Sequence, residues 1–206
     1  ILTTQDVRLF HTYLKKLESN DSKLEEEFTT LITEPRAQIN RLEKVAALKL
    51  AKKIIENKSW KNYFSKKNVV ELVKKDSELD KLFTQHEENY YWITRDYEDS
   101  VLTYNDFVKR MKVILKDQPL KKLVEEENFL KSVDKNIISI EKKLGIDSKH
   151  SRLFEAVREG IHLKEFRKMY VSQLMYHYDP ILEEISKRAK LSLAETRHLT
   201  SKDVLM

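Results

Sequence analysis

Residues 149–189 read KHSRLFEAVREGIHLKEFRKMYVSQLMYHYDPILEEISKRA. Apolar side chains recur at Leu153, Val157 and Ile161, then at Phe166, Tyr170, Leu174, Tyr178, Leu182 and Ile185, with Phe154, Met169 and Ile181 widening the stripe. Steps of four belong to a helix with one buried face, not to a strand. Asp147 or Ser148 caps its start by accepting from free first-turn amides. Gly145 suits the end of the preceding helix, where a left-handed residue is wanted. Pro180 conflicts with the pattern. It removes an amide donor and crowds the carbonyl four residues back, so a kink or break is expected near Tyr178 and Asp179.

Downstream, Ser192-Leu193-Ala194-Glu195 is a capping box, and Thr200-Ser201-Lys202-Asp203 resembles a second, which starts a helix the sequence never completes. Ile1 is an odd first residue. Both ends look cut, so the expectation is a piece of a longer protein.

The 206 residues suffice for one domain or two small ones. Only two glycines and three prolines occur, too few for the tight turns of a strand-rich fold. The fold class expected is therefore all-α: a multi-helix bundle ending in one long helix kinked near Pro180. There is no glycine-rich phosphate loop. Zero cysteines mean no disulfide and no thiolate metal site, which fits a cytoplasmic setting. No run of about 18 apolar residues is present, so no membrane partner is expected.

Upstream, helices are expected from Thr3, from Asn20-Asp21-Ser22 and from Pro35 to about Asn57, the last with Ile39, Leu42, Val45 or Ala46, Leu50 and Ile54 inward. Residues 41–75 carry eleven Lys and Arg against three Glu, a net of +8 on a chain of net +5. Trp60, Tyr63 and Phe64 lie among them. A nucleic-acid patch with stacking aromatics is one reading. A solvated face with the aromatics turned inward is favoured, because the charge is spread around the helix and no nucleic-acid motif accompanies it. Further on, Asp76-Ser77 caps a helix carrying Leu79, Leu82, Phe83, His86, Tyr90 and Ile93. Thr103 to Asp106 forms another box, and Pro119 opens a helix running to Leu144. The domain organisation expected is 1–75, a helical bundle with a basic second half, and 76–206, a second helical region.

No chemistry-bearing constellation stands out. There is no H-E-x-x-H, and His150, His162 and His177 are too far apart for one metal. Arg152, Arg158 and Arg167 are candidates for an anionic ligand or domain, but pairing with Glu155, Glu159 and Glu165 is the favoured reading. No catalytic, cofactor-binding or metal-ligating residue is assigned.

Two stretches carry a resemblance. One is His86-Glu87-Glu88-Asn89-Tyr90-Tyr91-Trp92-Ile93 with Tyr97 and Thr103 to Phe107. The other is Arg167, Tyr170, Tyr178 and Leu182-Glu183-Glu184-Ile185, followed by Leu191 to Glu195 and Leu199-Thr200. Over roughly 79–206 they resemble the helical segment of phosphoenolpyruvate-utilising enzymes, the phosphoenolpyruvate synthase and rifampicin phosphotransferase group. That resemblance implies a non-catalytic scaffold and hinge base for a swivelling phosphohistidine domain expected after Met206, in a parent protein that uses ATP, phosphoenolpyruvate and Mg. None of those cofactors is expected to bind within the segment itself. The glycine-rich histidine motif is missing, so none of the six histidines inherits the phosphohistidine role. His86, Tyr90 and Trp92 are the family-like residues, and a core cluster is their equal alternative reading. A stand-alone interaction scaffold is the alternative function, and a homo-oligomer is allowed.

Overall fold

The computed structural model describes residues 10, 12–17, 21–34, 39–94, 101–200 and 203. These are all-α. In chain order, a helical turn at 12–14 is followed by α1 (Asp21–Ile32), α2 (Ile39–Glu56), α3 (Lys58–Tyr63), α4 (Val69–Lys75), α5 (Ser77–Tyr90), α6 (Tyr104–Ile114), α7 (Pro119–Leu144), α8 (Ser148–Ala189) and α9 (Leu193–Arg197). No strand occurs among the described residues. The start expected at Thr3, the turn at Asn20, Pro35, Tyr97 and the last residues of the chain lie outside them.

The helix boundaries follow local chemistry. Asp76 accepts from the Leu79 amide at 3.1 Å to start α5. The Thr103 amide donates to Asp106 at 3.0 Å in the box that opens α6. Pro119 stands in the first turn of α7, where a missing amide costs nothing. Gly145 ends α7 at φ 64°, the left-handed cap that glycine adopts without a Cβ penalty. Asp147 accepts from the amides of Lys149 and His150 at 2.9 and 3.0 Å to start α8. Ser192 and Glu195 form the reciprocal box of α9.

Two cores result. In the first, α2 to α6 enclose Leu50, Ile54, Trp60, Phe64, Val73, Phe83, Phe107 and Met111. It takes residues from both sides of position 75, where the sequence suggested a boundary. In the second, the 12–14 turn, α1, α7 and the beginning of α8 enclose Leu14, Leu24, Phe28, Leu31, Val133, Ile137 and Phe154. Helix α2 also packs along α7, where Arg41 and Lys44 both pair with Glu126.

Three sequence expectations are corrected. Of the kink or break expected near Pro180, the break does not occur: helix α8 continues through it. A proline removes one donor, and the rest of the ladder survives. Helix α9 also clamps this segment, through Ser186 with Thr196 at 2.7 Å and Arg197 with Asp179 at 3.1 Å. The inward line of α2 passes through Glu43, Ala47, Leu50, Ala51 and Ile54, leaving Leu42 about half exposed. Finally, the α8 stripe is buried only near its start, at Phe154 and Val157. Gly160 follows within the same helix, with open space where a Cβ would stand.

Candidate functional site

The sequence candidates fall into two places. The first is the crossing of α2 and α5. His86 Nε2 lies 3.2 Å from Glu43 Oε1, both side chains being buried. The imidazole is walled by the Phe107 ring, edge-on at 4.9 Å, and by Tyr90, also at 4.9 Å. Arg110 approaches Glu43 from the rim at 3.7 Å. Burial, then the nearby Glu43 charge, pushes the Tyr90 hydroxyl above its ordinary pKa. An open groove above this pair is bordered by Lys49, Lys53, Gln85 and Asn89. A buried carboxylate and imidazole satisfy one another, and together they lock two helices at one register.

Trp92 is buried and donates from Nε1 to the Asn89 carbonyl at 2.9 Å, so it closes the end of α5. Tyr104 is also drawn into this region. Its hydroxyl donates to Asp80 at 2.6 Å, and burial with that bond pushes its pKa far upward. Trp60 and Phe64 are core residues, with Trp60 Nε1 donating to Asp76 at 2.8 Å. Of the three aromatics of the basic stretch, Trp60 and Phe64 are thus turned inward, and Tyr63 is half-buried against the same core.

The second place is α8. Arg158 donates from Nη1 to the Leu31 carbonyl at 2.6 Å, tying α8 to the end of α1 instead of forming the expected glutamate pair. Arg152 and Arg167 are exposed. Around Asp147, His150 Nδ1 sits at 2.6 Å and the Tyr13 hydroxyl at 3.2 Å, with the Tyr13 and His150 rings stacked 3.5 Å apart. Hydrogen bonds from the His150 amide and ring, with help from Tyr13, hold the Asp147 carboxyl down at about 2.

Beyond Gly160 six apolar side chains of α8 face outward, while Ile161, Met169, Leu182 and Ile185 are half-buried. Leu163 is 64% exposed, Phe166 44%, Tyr170 54%, Leu174 51%, Tyr178 47% and Ile181 54%. They stand on one side of the helix. Ser172 and Ser186, the buried residues of this half, stand on the other. Tyr91, at the end of α5, borders one edge: its ring lies 4.4 Å from Tyr176 and its hydroxyl 3.4 Å from His177.

Sequence reasoning missed two features. Glu43 is the buried partner of His86, and its place on the 43, 47, 50, 54 line of α2 was the available signal. The outward turn of the α8 stripe had no local signal at all. Among the described residues no helix is long and apolar enough to cross a membrane, and no group of three His, Asp or Glu is placed to hold a metal ion. No family model, curated protein or solved structure matches the chain.

Proposed function

We propose that this chain is a helical interaction scaffold that binds a partner helix along the outer face of α8 between Leu163 and Ile181. One observation carries the reading: six apolar side chains over five turns, each about half in water, on the side of the helix away from the buried Ser172 and Ser186. Aromatic side chains bury roughly 150–250 Å² each when covered, so with the aliphatic ones a few hundred Å² of apolar surface stands in water here, comparable to the largest patch on a typical monomer, which is often functional. The stripe is straight and one helix wide, which suits an amphipathic helix better than a sheet edge or a small molecule. The His86–Glu43 crossing and the two cores serve as the rigid base.

This reading is compatible with the resemblance to phosphoenolpyruvate-utilising enzymes. A hinge base in a cytoplasmic parent protein, with ATP, phosphoenolpyruvate and Mg handled by other segments, is also a positioning role. On either version, the chain mixed with ATP and phosphoenolpyruvate gives no turnover.

The test of the docking face is dye binding at high dilution. Anilinonaphthalene sulfonate should brighten on the native protein and not on a Phe166→Ser, Tyr170→Ser, Leu174→Ser variant of unchanged helix content. Equal brightness on both proteins, or an unfolded variant, would overturn the reading.

A further inference from the structure

We infer that the groove between α2 and α5 is a binding site for a small, flat organic anion: one ring carrying one carboxylate or phosphate group. The inference stands apart from the outer face of α8 and does not depend on it. The groove holds about 240 Å³. That is below the roughly 300 Å³ at which pockets for drug-sized molecules begin, so the ligand is about one ring in size. Ala46, Leu50 and Leu82 make an apolar floor. The His86 ring, fixed by Glu43 at 3.2 Å, and the Tyr90 ring, 4.9 Å from it, make a wall. A flat apolar body gains from both surfaces.

The rims supply the polar contacts. Lys49 and Lys53 stand four residues apart on α2, and Gln85 and Asn89 four apart on α5. Each pair therefore lines one side, with roughly 5–6 Å between its Cβ atoms. Among the described residues neither lysine pairs with a carboxylate, and neither carboxamide has a hydrogen-bond partner. The acids of α2 are engaged elsewhere, Glu56 with Lys52 at 4.0 Å and Glu43 with His86 and Arg110. On α5, Asp80 and Glu87 take the Tyr104 hydroxyl and amide, and Glu78 and Glu88 pair with neither lysine.

Two ammoniums beside an apolar floor select a negative charge, because a half-enclosed site screens it less than open water does. A cation there meets two like charges. The facing carboxamides both donate and accept, so they suit a polar substituent on the ring. The seat is also preformed. The buried Glu43–His86 contact fixes the two helices, and Trp92 Nε1 donates to the Asn89 carbonyl at 2.9 Å, which holds the end of α5. Little ordering is left for the ligand to impose.

The test is a titration of the isotope-labelled chain near neutral pH, where carboxylates are ionised, read on its amide NMR signals. Sodium benzoate should move the side-chain amide signals of Gln85 and Asn89 with half-saturation on the order of 1 mM, the range for so few ligand atoms. Benzamide, its neutral twin, should bind about 10-fold more weakly, and a Lys49→Gln, Lys53→Gln protein should lose benzoate affinity by a similar factor. A Lys66→Gln, Lys67→Gln protein sheds the same charge outside the groove and should bind as the parent does. Phenyl phosphate run in parallel names the head group by which anion half-saturates first, and either order supports the site. No movement of these signals at about 50 mM benzoate, equal binding of benzoate and benzamide, or equal weakening by the two double variants overturns the inference. The replaced lysines are exposed, and the benzamide comparison needs no variant.

Discussion

The first twelve or so residues of α8 and the remaining thirty share one helix and one apolar periodicity, yet they do opposite things. Near the start, Phe154 is fully buried against α1 and α7, and the Phe10 ring lies tilted against it with centroids 4.8 Å apart. Past Gly160, Phe166 and Tyr170 contact one another at 4.9 Å while about half of each stays in water. A 3.6-residue period states that a side of a helix is apolar. It does not state which element covers that side, because coverage is decided by chain segments far away in sequence. The contrast therefore separates residues that hold the fold from residues available to a partner.

Four measurements probe that separation. The largest effect is expected from Phe154→Ala, which empties a fully buried ring site in the second core and should cost about 3–5 kcal/mol in urea unfolding. A loss below about 1 kcal/mol would mean that the near half of α8 is no more committed to the fold than the far half. Next is Glu43→Ala. It leaves the buried His86 imidazole without its carboxylate, and about 1–3 kcal/mol should be lost. The value sharpens the comparison by showing how firmly the base under α8 is locked.

Acid titration is expected to give a smaller effect. The Asp147 carboxyl is held at about 2 in the folded chain, below its ordinary 3.8. A depressed pKa favours the folded state above the unfolded value, so its contribution is complete above about pH 4 and fades as pH falls toward 2. Asp147→Asn should flatten that part of the stability profile, and identical profiles for the two proteins would remove the cap from the account of how α8 begins. Least is expected from Leu174→Ser in dilute solution, within about 0.5 kcal/mol of the parent protein, as for an ordinary surface site. A loss on the scale of Phe154→Ala would erase the distinction between the halves.

Much of the fold was legible locally. The caps at Asp76, Thr103, Asp147 and Ser192, Pro119 in its first turn and Gly145 at its left-handed position all depend on hydrogen bonds within four residues, so the sequence displays them. The inward aspect of His86 was legible from its place in the apolar stripe of α5 with Leu79, Leu82 and Phe83. What could not be read depends on distant segments. Pro180 reads as a kink or break, and the contacts of α9 with Asp179 and Ser186 that hold the segment in one helix come from outside it. Leu42 reads as core until α2 rotates to bring Glu43 to His86. Arg158 reads as a surface ion pair until the end of α1 offers it a carbonyl. The α8 stripe reads as buried because every other stripe in the chain that ends in a core looks just like it.

Gly160 sits where the anchored and outward parts of α8 meet, and nothing lies within 4 Å of the place a Cβ would fill. Sterics thus make no demand for glycine there, and within a helix it is the residue that least resists bending. The outward arm therefore has a compliant joint at its root, which would let it adjust to a partner without disturbing the anchored part. Stiffening that joint with Gly160→Ala would turn a swinging boom into a fixed spar, and spin labels at its tip and base would report the narrower spread of distances.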